Sequence, residues 1–375
     1  MIYFDNAAST PMHEEVIKVI TDCMHDVYGN PSSVHELGRR ARVVVEQSRR
    51  TIARLLNASP SEIFFTSGGT EASNAILWGC YKDLGRRIFI TGRLEHPAVL
   101  QTLETLKKIM DVEVYFVRHQ PNGHVCLDHL EELLKAHPSA VVSLMHANNE
   151  IGNLLPLKSV AALCDQYDAL FHSDTVQTIG KYHIDLSQSL MDFAAASAHK
   201  FHGPKGVGFM FIKKGHALTP FVTGGGQERE TRAGTENVYG IAGMAKALEM
   251  AYLDMESDQK HIASLKQTCM TLLQEKITGV VFFGDPSGSS LHTILNISLP
   301  KGKKAEMLLP ALDIRGICVS SGSACSSGSV KRSAVLQALN TDPERPSLRM
   351  SFSRYNTLEE VRRVADNLAE IYQSS

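Results

Sequence analysis

The sequence predicts an α/β protein: a large domain built on a mostly parallel seven-stranded sheet, with a small α+β domain beside it. Two observations carry this. From Ile63 to Ile212 short apolar runs alternate with helical patterns, the rhythm of a sheet covered on both faces. Beyond roughly residue 255 that rhythm stops, and sparser strands appear, two of them alternating apolar with polar residues as half-exposed strands do. The expected boundaries are 15–255 for the large domain and 1–14 with 256–375 for the small one. With 375 residues, 43% of them hydrophobic, the chain can bury a core in each.

In order, Asp5-Asn6-Ala7-Ala8-Ser9-Thr10-Pro11 reads as a turn-rich opening. Val16, Val19, Ile20, Cys23 and Val27 then recur at helical spacing. A second, long helix is expected to start at a Ser32 or Ser33 cap and run to about Asn57. Its basic run, Arg39, Arg40, Arg42, Arg49, Arg50 and Arg54, reads as a solvated face. The strands of the large sheet are expected at Ile63–Thr66, Arg87–Thr91, Glu113–Val117, Ala140–Met145, Ala169–Asp174, Phe193–Ala198 and Val207–Ile212. Later strands are expected at Val280–Gly284, His292–Leu299 and Leu348–Ser353, with helices near Ala305–Asp313, Ser329–Leu339 and Leu358–Tyr372.

Composition removes several function classes. A net charge of -2 gives no reason to expect nucleic acid or membrane as a partner. No apolar run approaches the ~18 residues of a membrane span, and Met1-Ile2-Tyr3-Phe4-Asp5 lacks the pattern of a signal peptide, so a cytoplasmic location is expected. Seven cysteines without a CxxC pair argue against a disulfide framework or a metal site. Six of them sit in helical or strand-like surroundings; Cys325 lies in a Ser/Gly loop at about 320–329.

In such a sheet ligands gather beyond the carboxyl ends of the strands, and five strand ends carry reactive groups. Thr66-Ser67-Gly68-Gly69-Thr70-Glu71 opens a helix and could cradle a phosphate at Gly69 and Thr70, though many strand–helix turns look alike. His96 could stack on a ring, shuttle protons or merely cap a helix. Asn148-Asn149-Glu150 follows the fourth strand. Asp174 could cap a helix or hold a pyridinium nitrogen, with Gln177 reaching a ring hydroxyl. Lys200, in Ser197-Ala198-His199-Lys200, could reach solvent or form a Schiff base with a carbonyl cofactor such as pyridoxal phosphate (PLP). Each is weak alone; five on one sheet edge point to a single site.

Together, Thr66 to Glu71, Glu95-His96, Asn149-Glu150, Asp174 with Gln177, and Ser197-x-His199-Lys200-x-x-Gly-Pro-Lys-Gly resemble a fold-type I PLP enzyme. More narrowly the chain resembles the class V branch that contains the cysteine desulfurases, over nearly its whole length from Asp5 to Arg349. The resemblance implies that Lys200 carries the cofactor and moves protons, Asp174 binds its ring nitrogen, Gln177 its ring hydroxyl, and His96 stacks on it. Thr70, Ser197 and His199 would hold the phosphate. Thr235, after Gly234, would reach the phosphate of a neighbouring subunit, implying a homodimer. Asn149 and Arg349 would hold the substrate carboxylate, which suits the fork of a guanidinium.

In Ser321-Gly322-Ser323-Ala324-Cys325-Ser326-Ser327-Gly328 the cysteine reads, alone, as a surface thiol in a linker. Opposite a PLP site it resembles the nucleophile that takes sulfur from L-cysteine, becomes a persulfide and leaves L-alanine. The short loop resembles the group serving iron–sulfur cluster assembly or tRNA thiolation, so a sulfur-acceptor protein is implied. Ser353 stands where relatives often have glycine, Ala233 where serine is frequent, and the chain ends at Ser375, which leaves the acceptor open. A class V aminotransferase or a selenocysteine lyase, and a PLP-binding protein without turnover, are the rival readings.

Overall fold

The computed structural model describes residues 1–188, 191–301, 307–321 and 333–373. The chain opens with strand β1 (Ile2–Tyr3) and helices α1 (Glu14–Asp26) and α2 (Glu36–Leu55). Helix α2 starts later than the serines suggested. Asn30 closes its own turn, accepting from the Ser32 and Ser33 amides, and His35 becomes the cap, its Nδ1 accepting from Gly38 N at 3.2 Å. Nor is the basic run wholly solvated. Arg49 is buried, gripping both oxygens of Glu228 at 2.8 Å and lying over the Phe65 ring.

The main sheet comprises β2 (Ile63–Thr66), β3 (Ile88–Gly92), β4 (Glu113–Val117), β5 (Val141–Ser143), β6 (Leu170–Asp174), β7 (Phe193–Ser197) and β8 (Gly208–Ile212). Their spatial order is β2-β8-β7-β6-β5-β3-β4. All neighbours pair in parallel except at β8, which is antiparallel to β2 and β7. The link 198–207 explains the exception, because a parallel crossover needs about a dozen residues or more. Helices α3 (Gly69–Lys82) and α4 (Pro97–Ile109) cover one face, over Phe89, Phe193, Ala195 and Met210. The other face, with Phe65, Phe171, Phe209 and Phe211, packs under α1, α2, α5 (Leu127–Ala136), α6 (Leu157–Gln166) and α7 (Val238–Leu253). Burial on both faces is why these strands read as apolar runs; each buried Phe or Leu contributes about 1.5–3 kcal/mol.

After α8 (Met255–Lys276) come β9 (Val281–Phe283), β10 (Ile294–Ser298), α9 (Leu308–Ile314), β11 (Ile317–Cys318), α10 (Ala334–Ala338), β12 (Ser347–Ser351) and α11 (Leu358–Gln373). Strands β12, β10 and β9 form an antiparallel sheet, while β11 pairs in parallel with β1. A separate core joins Ile2 and Phe4 to α8, β10, β12 and α11. The alternation in β10 and β12 is real, but the polar face is not solvated. Asn296 donates to Glu150 O, and its register partner Arg349 reaches the main sheet's open edge. Among the described residues no helix is long and apolar enough to cross a membrane.

Candidate active site

The carboxyl ends of β2, β3, β5, β6 and β7 open on a cavity of about 350 Å³. Its wall includes Gly69, Thr70, His96, Asn149, Asp174, Gln177, Ser197, His199, Lys200 and Arg349. These side chains come from six strands' worth of chain and meet nowhere else.

One end is built to take an anion. Helix α3 begins after Gly68 with no side-chain cap, so its first-turn N–H groups and positive dipole end face the cavity. A Cβ on Gly69 would stand 2.5 Å from Val176 Cγ2, so only glycine lets the helix start against the end of β6. His199 lies on this side, its Nδ1 3.3 Å from Ser9 Oγ. Burial, with Lys200, Lys205 and Lys181 nearby, pushes its pKa down to about 4, so it stands neutral.

Asp174 forms the floor. Its Oδ1 accepts from Val176 N at 2.9 Å, and burial raises its pKa although His96, that N–H and Lys200 oppose the shift. Among the described residues it has no ion-pair partner. His96 does both things the sequence left open: it lines the cavity and caps α4, its Nδ1 accepting from Ala98 N at 3.1 Å. Neutral His96 therefore carries its proton on Nε2. Burial lowers its pKa, Asp174 opposing and Lys200 assisting. Glu95 is held above the ordinary carboxyl range by burial, against the Met145 N–H that bonds its Oε1 at 2.9 Å; it ties the end of β3 to the end of β5.

Lys200 Nζ donates to Ala7 O at 2.6 Å and Ala8 O at 2.8 Å. Gln177 Nε2 donates to the same Ala7 O at 3.1 Å, and its Oε1 accepts from Lys181 Nζ at 3.1 Å. Arg349 is only 1% exposed; Nη1 donates to Asn149 O at 2.8 Å and Nη2 to Asp5 Oδ1 at 2.9 Å, while the buried Nε has no partner among the described residues. Sequence reasoning missed Asp5, the Ala7 and Ala8 carbonyls and Lys181. The only local signal was a turn-rich stretch, since carbonyl groups leave no trace in residue type.

One expected residue is not in this cavity. Thr235 lines another, beside Gly206 and Arg232. Cys325 lies outside the described residues, but what precedes and follows its segment is fastened at the site. Ser320 exchanges backbone hydrogen bonds with Arg349 at 2.6 and 3.2 Å, and Ser333 Oγ donates to the Glu150 carboxylate.

The family described as aminotransferase class-V matches residues 2–364. The chain belongs to the class V aminotransferase family. Class V enzymes of this kind use PLP, and the residues present fit it: an uncapped helix start for phosphate, an unpaired carboxylate for the ring nitrogen, and an amine between them. Among relatives, a protein named cysteine desulfurase IscS from Dictyoglomus turgidum is 38% identical over 99% of this chain and 94% of its own length. A solved structure titled NifS-like protein superposes with a TM-score of 0.92 at 36% identity, covering 100% of both chains. Another, titled SspA in complex with cysteine, gives a TM-score of 0.81 at 28% identity over 95% of this chain and 100% of its own.

Proposed function

We propose that this class V protein is a PLP-dependent cysteine desulfurase that converts L-cysteine to L-alanine and keeps the sulfur on Cys325 as a persulfide. The observation that carries it is the convergence of Lys200, Asp174, Gln177, His96 and Arg349 on one cavity. Bound there, PLP would supply a carbonyl that amines attack and a ring that withdraws electrons. Lys200 would hold it, Asp174 and Gln177 would bind the ring, His96 would lie against it, and Gly69, Thr70, Ser197 and His199 would take the phosphate. Thr235 would serve the site of a neighbouring subunit, which makes the working unit a homodimer. Residues 15–255 form the cofactor-binding domain on this reading, with 1–14 and 256–375 as the smaller one.

The substrate carboxylate would be gripped by Arg349 and Asn149, placing the cysteine side chain toward the segment fastened by Ser320 and Ser333. Lys200, whose Nζ already sits among acceptors, moves a proton at the substrate's α-carbon. His96 presents Nε2–H and donates. The Cys325 thiolate attacks the substrate sulfur: the C–S bond breaks, an S–S bond forms, and the β-carbon takes a proton. One thiol hydrogen thus ends on the persulfide and the other on alanine's methyl group, so the step needs no external oxidant or reductant. The persulfide is then passed to an acceptor protein, for iron–sulfur cluster assembly or tRNA thiolation, in the cytoplasm.

The test is alanine released from L-cysteine by PLP-loaded protein with a reductant, beside Cys325→Ala. The expected result is alanine from the wild type and none from the variant. Alanine from both would remove Cys325 from the mechanism; none from either would sink the reaction.

A further inference from the structure

Behind the cavity lies a second, smaller one of about 40 Å³, and Lys200 lines both. Lys181 lines this smaller space as well. We propose that Lys181 is a positioning residue for the site: its ammonium sets the orientation of the Gln177 amide and places a second positive charge behind the Lys200 amine. This rests on reading the main cavity as a PLP site.

The geometry begins with Gly180. Its φ is +79°, and a Cβ there would lie 2.5 Å from Phe201 Cβ, so glycine is what lets the segment after β6 press against the residue following Lys200. Lys181 then donates to Gln177 Oε1 at 3.1 Å. An ammonium only donates, so the amide oxygen must face Lys181 and the NH₂ must face Ala7 O and the cavity. Gln177 can therefore offer the cofactor's ring hydroxyl a donor, and stabilise it as the oxyanion. The Ala7 carbonyl that receives this NH₂ also receives Lys200 at 2.6 Å, so one amide and one carbonyl join the two lysines.

Among the described residues no carboxylate pairs with Lys181. From β12 comes Arg349; around the inner cavity stand Lys200, His202, His292, Asp258 and Arg354. Asp258 is ion-paired to Arg354, and burial holds His202 and His292 neutral, at about 4 and 3. Burial, Lys200 and Arg349 bring Lys181 itself down to about 7. Repulsion is mutual: the cation that depresses Lys181 is depressed by it. Carbonyl chemistry at Lys200 needs a neutral amine, so a nearby cation works in the catalytic direction.

The test is the pH titration of the visible absorbance of PLP-loaded protein, in the wild type and in Lys181→Met, Lys181→Gln and Lys181→Arg. The first two remove a charge that is costly to bury, so thermal unfolding should show them folded, and either alone suffices. Both should move the midpoint up by about one pH unit, while Lys181→Arg, which keeps its charge where Lys181 loses it at about 7, should sit at or below the wild type. A merely structural role would alter occupancy or stability without moving the midpoint. Neutral variants titrating with the wild type would overturn the inference, as would Lys181→Arg shifting up as far as Lys181→Met. A wild type that shows no visible band would overturn the PLP reading itself and this inference with it.

Discussion

Replacing Arg349 by lysine keeps the charge at the cavity wall and removes the fork. In the resting chain Arg349 spans Asn149 O and Asp5 Oδ1 with two different nitrogens, 2.8 and 2.9 Å away, and is almost wholly buried. A lysine ammonium is one point and cannot meet both acceptors and a substrate carboxylate with the planar geometry of a guanidinium. The loss is one charge-assisted hydrogen bond, about 1.5–3 kcal/mol, which corresponds to about 10- to 150-fold in affinity. On the proposed function the carboxylate would be bound equally before and during the reaction, so the change should fall on KM, with kcat held within a small factor. The assay is initial alanine release over a wide range of L-cysteine, with the visible absorbance of bound PLP as a check that the cofactor site is intact. An unchanged KM, or a collapse of kcat at normal KM, would refute the placement of the carboxylate at Arg349.

Glu228→Gln should destabilise the protein by about 3 kcal/mol, the low end for breaking a buried pair, because Arg49 would keep its buried charge with only the half-exposed Glu46, 3.1 Å from its Nε, to oppose it; urea unfolding reads this. Glu228 sits at the head of three consecutive non-glycine residues with positive φ, and the double variant with Arg49→Met should recover much of the loss. If the single variant unfolds like the wild type, the pair holds nothing. His172, buried with Nδ1 2.8 Å from Ser143 Oγ, is held neutral by burial at about 3. Its folded pKa lies below the unfolded value of ~6.5, so the unfolded chain binds the extra proton, and stability falls as pH drops below that value. His172→Gln should make the loss between pH ~6.5 and ~4 smaller by about 3 kcal/mol; equal slopes in the two proteins would contradict a neutral His172.

The main sheet was legible because strands buried on both faces must be apolar, and the groups at their ends were legible because they break those runs. Asp174 and Lys200 stand out against Phe171 and Phe193 for that reason. The antiparallel turn at β8 left no mark in its residues, since a buried strand looks alike in either direction; only the short link before it tells. Arg49 read as one charge in a basic face, because its partner Glu228 lies far along the chain and nothing local signals the meeting. The polar face of β10 and β12 read as solvated for the same reason: alternation says that two faces differ, not what lies opposite each. Ser32 and Ser33 lost the cap to His35 when Asn30 closed the turn first. At the site, residues acting through side-chain chemistry announced themselves. Ala7 and Ala8 act through carbonyls and could not.

The site is stitched together by contacts between the two ends of the chain. Asp5 and Arg349 are 344 positions apart, and Asn6 donates to Ser351 O across 345. At a synthesis rate of ~5–20 residues per second, roughly 20–70 s pass between the making of Asp5 and of its partner. Lys200 and the two alanine carbonyls that hold it exist well before that. A growing chain thus has its amine in place long before Arg349 is made. On the proposed function, assembly order itself would then delay turnover: until the last strand pairs, Asn149 would lack Arg349, the charged half of the grip on the substrate carboxylate.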